Sequence, residues 1–174
     1  MRRLIILTFL IPFAINLFGQ TKSESLKIIW PEEYKWKIGS NQENNTMHFM
    51  ELIPGNEKIT KWTMMGTMMS LKNVKITSTD QVVQMYTESS LKESPKAKLT
   101  VIEKSDSTKN IWVLYKIETP SFPNDPKPES QLFYALQGDT TLYVNFIAIK
   151  EKTLSEDFIN KWTKVFKTSE LVYQ

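Results

Sequence analysis

Cysteine is absent from this 174-residue chain. That excludes disulfides, thiol nucleophiles, zinc–thiolate sites and iron–sulfur clusters. It also excludes a lipid anchor built on cysteine. Histidine occurs once, at His48, which leaves no material for a His-rich metal centre. Arginine occurs only as Arg2 and Arg3. Without it the rest of the chain lacks the planar, bidentate fork used for phosphates and guanine edges. Glycine is scarce: Gly39, Gly55, Gly66 and Gly138 are the four beyond Gly19, and they are too scattered for a phosphate-binding loop. No long apolar run occurs after Phe18.

The charge balance points the same way. The whole chain carries 22 basic and 19 acidic residues, net +3. Beyond residue 19 the count is 20 Lys against 19 acids, net +1. A near-neutral surface has no field to draw nucleic acid or an anionic membrane. Neither is expected as a partner.

What is there begins with Met1-Arg2-Arg3, followed by the fifteen uncharged residues Leu4 to Phe18 and then Gly19. A charged start, a short apolar core and a small residue make a secretory signal peptide over 1–19. Cleavage leaves Gln20 or Thr21 at the new terminus. The run is shorter than the roughly 20 apolar residues of a membrane span, so no stable span is expected after cleavage. The protein is expected to work in the periplasm or outside the cell, where a free thiol is a liability. Residues 20–174 suit a single domain, read as a monomer.

Alternation and turn signals divide that domain. Tyr34–Ile38 alternates apolar and charged residues, as a half-buried strand does. Gly39–Asn45 reads as a turn. Thr46–Ile53 and Ile59–Leu71 are strands around Pro54-Gly55, with a bulge expected at Gly66. Ser78-Thr79-Asp80 offers a helix N-cap, and Val82, Val83, Tyr86 and Ser90 follow at helical spacing until Pro95. Ala97–Glu103, Asn110–Glu118, Gln131–Gln137 and Thr140–Ile149 are strands, the last two joined at Gly138-Asp139. Leu154, Phe158, Ile159, Trp162, Val165 and Phe166 form the apolar stripe of a final helix, with Thr153 and Glu156 resembling a capping box. The order strands, helix, four strands, helix gives an α+β fold: a largely antiparallel sheet of six to seven strands packed by two helices.

Particular segments resemble the PsbP-like and DcrB-like secreted bacterial proteins. They are Ile111-Trp112-Val113-Leu114-Tyr115, Gln131 to Gly138, Leu142-Tyr143-Val144, and the Leu154-Ser155-Glu156 to Trp162 helix with Leu171-Val172 after it. In the N-terminal half, Pro54-Gly55 and Trp62-Thr63 are similar to a segment of the same family. The resemblance implies an antiparallel sheet sandwiched by helices. It implies no activity, since such folds serve as accessory and binding modules.

Chemistry-bearing residues are few. His48 lies in the alternating stretch Met47-His48-Phe49-Met50-Glu51, with no strained elbow for a nucleophile nearby, and reads as an ordinary strand residue. Glu51, Glu57, Glu118 and Glu129 are the carboxylates for a hydrolase, which needs two of them facing one cleft. Met47, Met50, Met64, Met65, Met68 and Met69 fall within 23 residues. Thioethers are flexible core filler and also soft ligands for Cu(I). A hairpin centred near Asn56 sets His48 opposite Met64 and Met50 opposite Trp62. That places His48, Met50, Met64 and Met68 on one face as candidate metal ligands. The expectation is nevertheless core filling, with no metal and no cofactor. In the Pro-rich loop 119–129, Phe122 is the candidate anchor for a partner. The reading is a non-enzymatic accessory or binding module for a protein of unknown identity. Its alternatives are a carrier of a small apolar ligand in a Met- and aromatic-lined pocket, and a carboxylate hydrolase.

Overall fold

A computed structural model describes residues 23–174. The apolar run Leu4–Phe18 and the cleavage site at Gly19 lie outside the described residues. The elements in chain order are β1 (Glu24–Lys27), a 3-10 turn (Glu32–Tyr34), β2 (Lys37–Glu43), β3 (Met47–Ile53), β4 (Met64–Lys72), α1 (Thr79–Glu93), β5 (Lys98–Ser105), β6 (Trp112–Thr119), β7 (Glu129–Gln137), β8 (Thr141–Ile149), α2 (Glu156–Lys167) and β9 (Glu170–Tyr173). Seven strands form one antiparallel sheet in the order β2-β3-β4-β8-β7-β6-β5, and β1 pairs with β9 in a separate two-stranded sheet. The fold is α+β, as the element order anticipates. No helix among the described residues is long and apolar enough to cross a membrane.

Side chains alternate across a strand, so the central strands feed two separate core layers. Leu114, Leu132, Tyr134 and Ile147 point to one side, where α2 lays down Trp162 and Phe166. Val113, Tyr115, Phe133 and Val144 point to the other, where α1 supplies Val82 and Tyr86. This explains why the β6 sequence is apolar on both faces. Trp162, Phe166, Val113 and Leu114 are all fully buried.

The helix ends follow from capping. The Oγ of Ser155 accepts a hydrogen bond from the Phe158 N–H at 3.3 Å, so Ser155 and not Thr153 is the N-cap of α2. The N–H of Leu154 before it donates to Glu118 Oε1 at 3.0 Å. At α1, the Gln81 side-chain oxygen accepts from the N–H of Thr77 at 2.8 Å and of Ser78 at 3.4 Å.

Four local expectations are corrected. β2 starts at Lys37 and runs through Gly39 to Glu43, while Tyr34 belongs to the 3-10 turn. Gly39 sits at a register shift between Ile38 and Ser40, so the strand continues through it. The turn moves to Asn44, whose Oδ1 accepts from the N–H of Thr46 and Met47 at 2.9 and 2.8 Å. Second, β4 starts only at Met64, because Glu57 Oε2 takes the Thr63 N–H at 2.7 Å and holds residues 57–63 in a looped turn. Third, the pairing of β8 with β4 runs unbroken through Gly66, and that of β3 with β4 reaches Gly66 without a register shift. The missing Cβ serves packing instead of a bulge: an added Cβ would collide with the Trp30 ring. Fourth, β1 and β9 add a pair of four-residue strands in segments where no strand was expected.

Trp162→Ala removes the ring at the centre of the α2 layer, which touches Trp30, Tyr34, Trp36, Phe158 and Phe166. The large-to-small rule gives a loss of about 3–5 kcal/mol, a large share of the roughly 5–15 kcal/mol a domain has. The urea midpoint is expected to fall accordingly. An unchanged midpoint would mean that α2 is not docked through this ring.

Candidate functional site

The two helices do not cover the sheet evenly. Neither core layer takes a residue from β2 or β3. Along β3, Met47, His48, Phe49, Met50 and Glu51 are half-buried, and only Leu52 and Ile53 are buried. Ile38 on β2 is 59% exposed. Strands β2–β4 therefore form a wing in which apolar and soft side chains meet solvent.

Pairing fixes which residues share a face of that wing. Met50 lies opposite Met68 and His48 opposite Ser70. Asn41 lies opposite Met50 and Glu43 opposite His48. These belong to the α2 side, together with Met64, which packs at the edge of that layer. Met47, Phe49 and Glu51 lie opposite Leu71, Met69 and Thr67 on the α1 side. The register differs from a hairpin centred near Asn56, because residues 57–63 are looped out of the ladder. The displacement is six residues, an even number, so the facing survives it: His48, Met50, Met64 and Met68 do share one face. They are not one cluster. Trp30, seated on Gly66, stands between Met64 and Met68. Of the six clustered methionines Met65 is buried, and Met64, Met68 and Met69 pack half-buried against the two core layers, so the expected core filling holds along β4, whereas Met47 and Met50 on β3 belong to neither layer.

His48 has a defined orientation. Its Nε2 lies 2.8 Å from Asn41 Oδ1. An amide oxygen only accepts, so Nε2–H donates and the free lone pair is on Nδ1. Asn41 falls in the stretch read as a turn from sequence, so its role was not visible there. Glu43 is the cross-strand partner of His48 on β2, and Lys72 holds that carboxylate at 2.7 Å. The Lys72 ammonium keeps the Glu43 carboxyl below its ordinary range.

The four carboxylates do not converge as a hydrolase requires. Glu118 is bound by Lys116 at 2.9 Å and by the Leu154 N–H. Glu129 accepts from Lys150 and Gln131, both at 2.7 Å. Glu57 is committed to Thr63. Glu51 stands on the wing, where burial pushes its carboxyl above the usual value. One cleft of about 510 Å³ does hold two acids, Glu33 and Glu57, beside Tyr34 and Met64. Lys161 binds Glu33 at 2.7 Å and keeps its carboxyl low. A general acid needs the opposite shift, and Glu57 spends both carboxylate oxygens on Thr63.

Phe122 is half-buried. Its backbone closes a tight turn with Asp125, N–H to O at 2.8 Å. The buried Ser94 hydroxyl donates to Ser121 O at 2.7 Å, tying the Pro-rich loop to the end of α1. Phe122 lines a shallow cleft with Pro95 and Lys96, whereas Asn124 and Asp125 form the exposed tip.

Burial raises the folded-state pKa of Glu51 above its unfolded value, so the folded state holds that proton more tightly. Its contribution to stability is complete below the unfolded pKa and is lost as pH rises through the folded one. Glu51→Gln is therefore expected to be more stable than the parent at about pH 7, with the gap closing towards about pH 4. Urea midpoints at the two pH values test this. An equal gap at both would show that Glu51 is not desolvated.

No family model matches the chain, and no curated protein matches it.

Proposed function

We propose that the chain is an exported, non-catalytic binding module that meets its partner through the β2–β4 wing. The observation behind this is the row Met47 and Phe49 on β3, beside Met69 and Leu71 on β4: these apolar residues share a face, are half-buried, and, on β3, belong to neither core layer. Apolar surface of that kind is what a partner can remove from water. Export is supported by Arg2-Arg3 followed by Leu4–Phe18. A non-catalytic role is supported by the dispersal of the carboxylates and by an imidazole that is hydrogen-bonded to Asn41 with no carboxylate behind it. Aromatic packing favours surface contact over enclosure of a small apolar ligand. Tyr115 stacks on Phe133 at 4.8 Å and Tyr134 on Phe166 at 6.0 Å, which fills the spaces between sheet and helices. The similarity to accessory modules noted in the sequence agrees with this reading.

A photo-crosslinking residue placed at Phe49 in the native host should yield a discrete adduct with one partner. The same residue at Gln84, exposed on α1, should not. Identical adducts from both positions, or none from position 49, would overturn the assignment.

A further inference from the structure

The α2-facing side of the wing carries chemistry of its own. Met50 and Met68 are direct cross-strand partners, and His48 lies two residues along β3 from Met50, hence on the same face. Directly paired residues have Cβ atoms about 4.5–5.5 Å apart and diagonal ones about 7–8 Å. Methionine has three rotatable bonds, so two thioethers and the imidazole can meet above the sheet without moving the backbone. All three residues are half-buried: they are open to an ion, yet held by the ladder. Met64 is excluded by the Trp30 ring on Gly66.

We propose that His48 Nδ1, Met50 Sδ and Met68 Sδ form a binding site for a single Cu(I) ion. The donor set selects the ion. Two thioethers are soft ligands that favour Cu(I), whereas hard divalent ions take oxygen. Zinc sites draw on Cys, His, Asp and Glu. Among the described residues no group of three or more His, Cys, Asp or Glu is placed to hold a metal. The imidazole is prepared for ligation: its Nε2–H is donated to Asn41 Oδ1 at 2.8 Å, the outer hydrogen bond that orients ligating histidines. The three ligands are neutral, so the site keeps the single positive charge of the ion. Glu43, opposite His48, is already paired with Lys72, so the pair adds no net charge beside it. With no cysteine in the chain, thioethers are the sulfur ligands available. This site goes beyond the partner-binding reading and does not depend on it, since capture of an ion needs no second protein.

The test is an anaerobic titration of the purified, signal-free protein with Cu(I) against the chromogenic chelator bicinchoninate. One equivalent of Cu(I) is expected to stay with the protein at sub-nanomolar affinity. His48→Ala, Met50→Leu and Met68→Leu should each abolish that retention, the Leu variants nearly conserving side-chain volume and so the fold. Asn41→Ala should weaken it by about 10–100-fold, the usual effect of removing an outer partner. Met69→Leu, on the opposite face, should bind as the parent does. Loss of all Cu(I) to the chelator by the parent protein would overturn the proposal. So would parental affinity in His48→Ala or Met68→Leu, with circular dichroism confirming that each variant is folded.

Discussion

Two helices have to cover seven strands, and they cannot. Strands lie about 4.8 Å apart, so six intervals span roughly 29 Å. A helix with its side chains is only about 10–12 Å across. α1 packs over β5 and β6 and α2 over β7. The central strands are thereby closed on both faces, and the far strands are left to solvent. The half-exposed methionines, the open imidazole and the absence of β2 and β3 from both core layers all follow from that mismatch.

The N-terminal segment partly compensates. β1 pairs with β9, so the first and last described strands are joined, and Leu26 and Ile28 enter the α2 layer. The chain then carries Trp30 onto the bare backbone of Gly66. Trp30, Tyr34, Trp36 and Trp162 pack with ring centroids 5.1–6.1 Å apart. Lys161 spans the outer edge, 4.5 Å from the Tyr34 ring centre and paired with Glu33. This aromatic cover reaches β4 and ends there. Met64 lies beneath it, while Met68 lies at its margin and Met50 beyond it. The boundary between the clad core and the open wing thus runs along β4.

Much of this was legible in the sequence because it depended on periodicity. β6, β7 and β8 declare themselves by apolar runs and the Gly138-Asp139 turn, and α2 by its stripe through Trp162. What was not legible depended on contacts distant in sequence. β1 and β9 are four residues each and have meaning only as a pair. The role of Gly66 is set by Trp30, 36 residues away. Thr153 and Ser155 are both acceptable cap residues in isolation, and in the fold it is Ser155 that takes the Phe158 N–H, with the Leu154 N–H before it bound by Glu118. At the site, residue types were visible and geometry was not. The shared face of His48, Met50 and Met68 emerges from a wrong register because the error was even. Asn41, which fixes the His48 tautomer, sat in a segment whose Gly, Ser and Asn content imitates a turn.

The central claim is that the sheet has a half clad on both faces and a wing that is not. Native-state amide hydrogen exchange tests it most directly, because protection reports the free energy of the opening that exposes each amide. Val113, Phe133 and Val144, on β6, β7 and β8, should exchange only through global unfolding. Phe49 and Met50 on β3 should exchange through local opening at a free energy several kcal/mol lower, within the range from about zero to the global value that such openings span. Equal protection of β3 and β7 would contradict the account, for it would mean that the wing is as firmly held as the core and is not a surface waiting for a ligand.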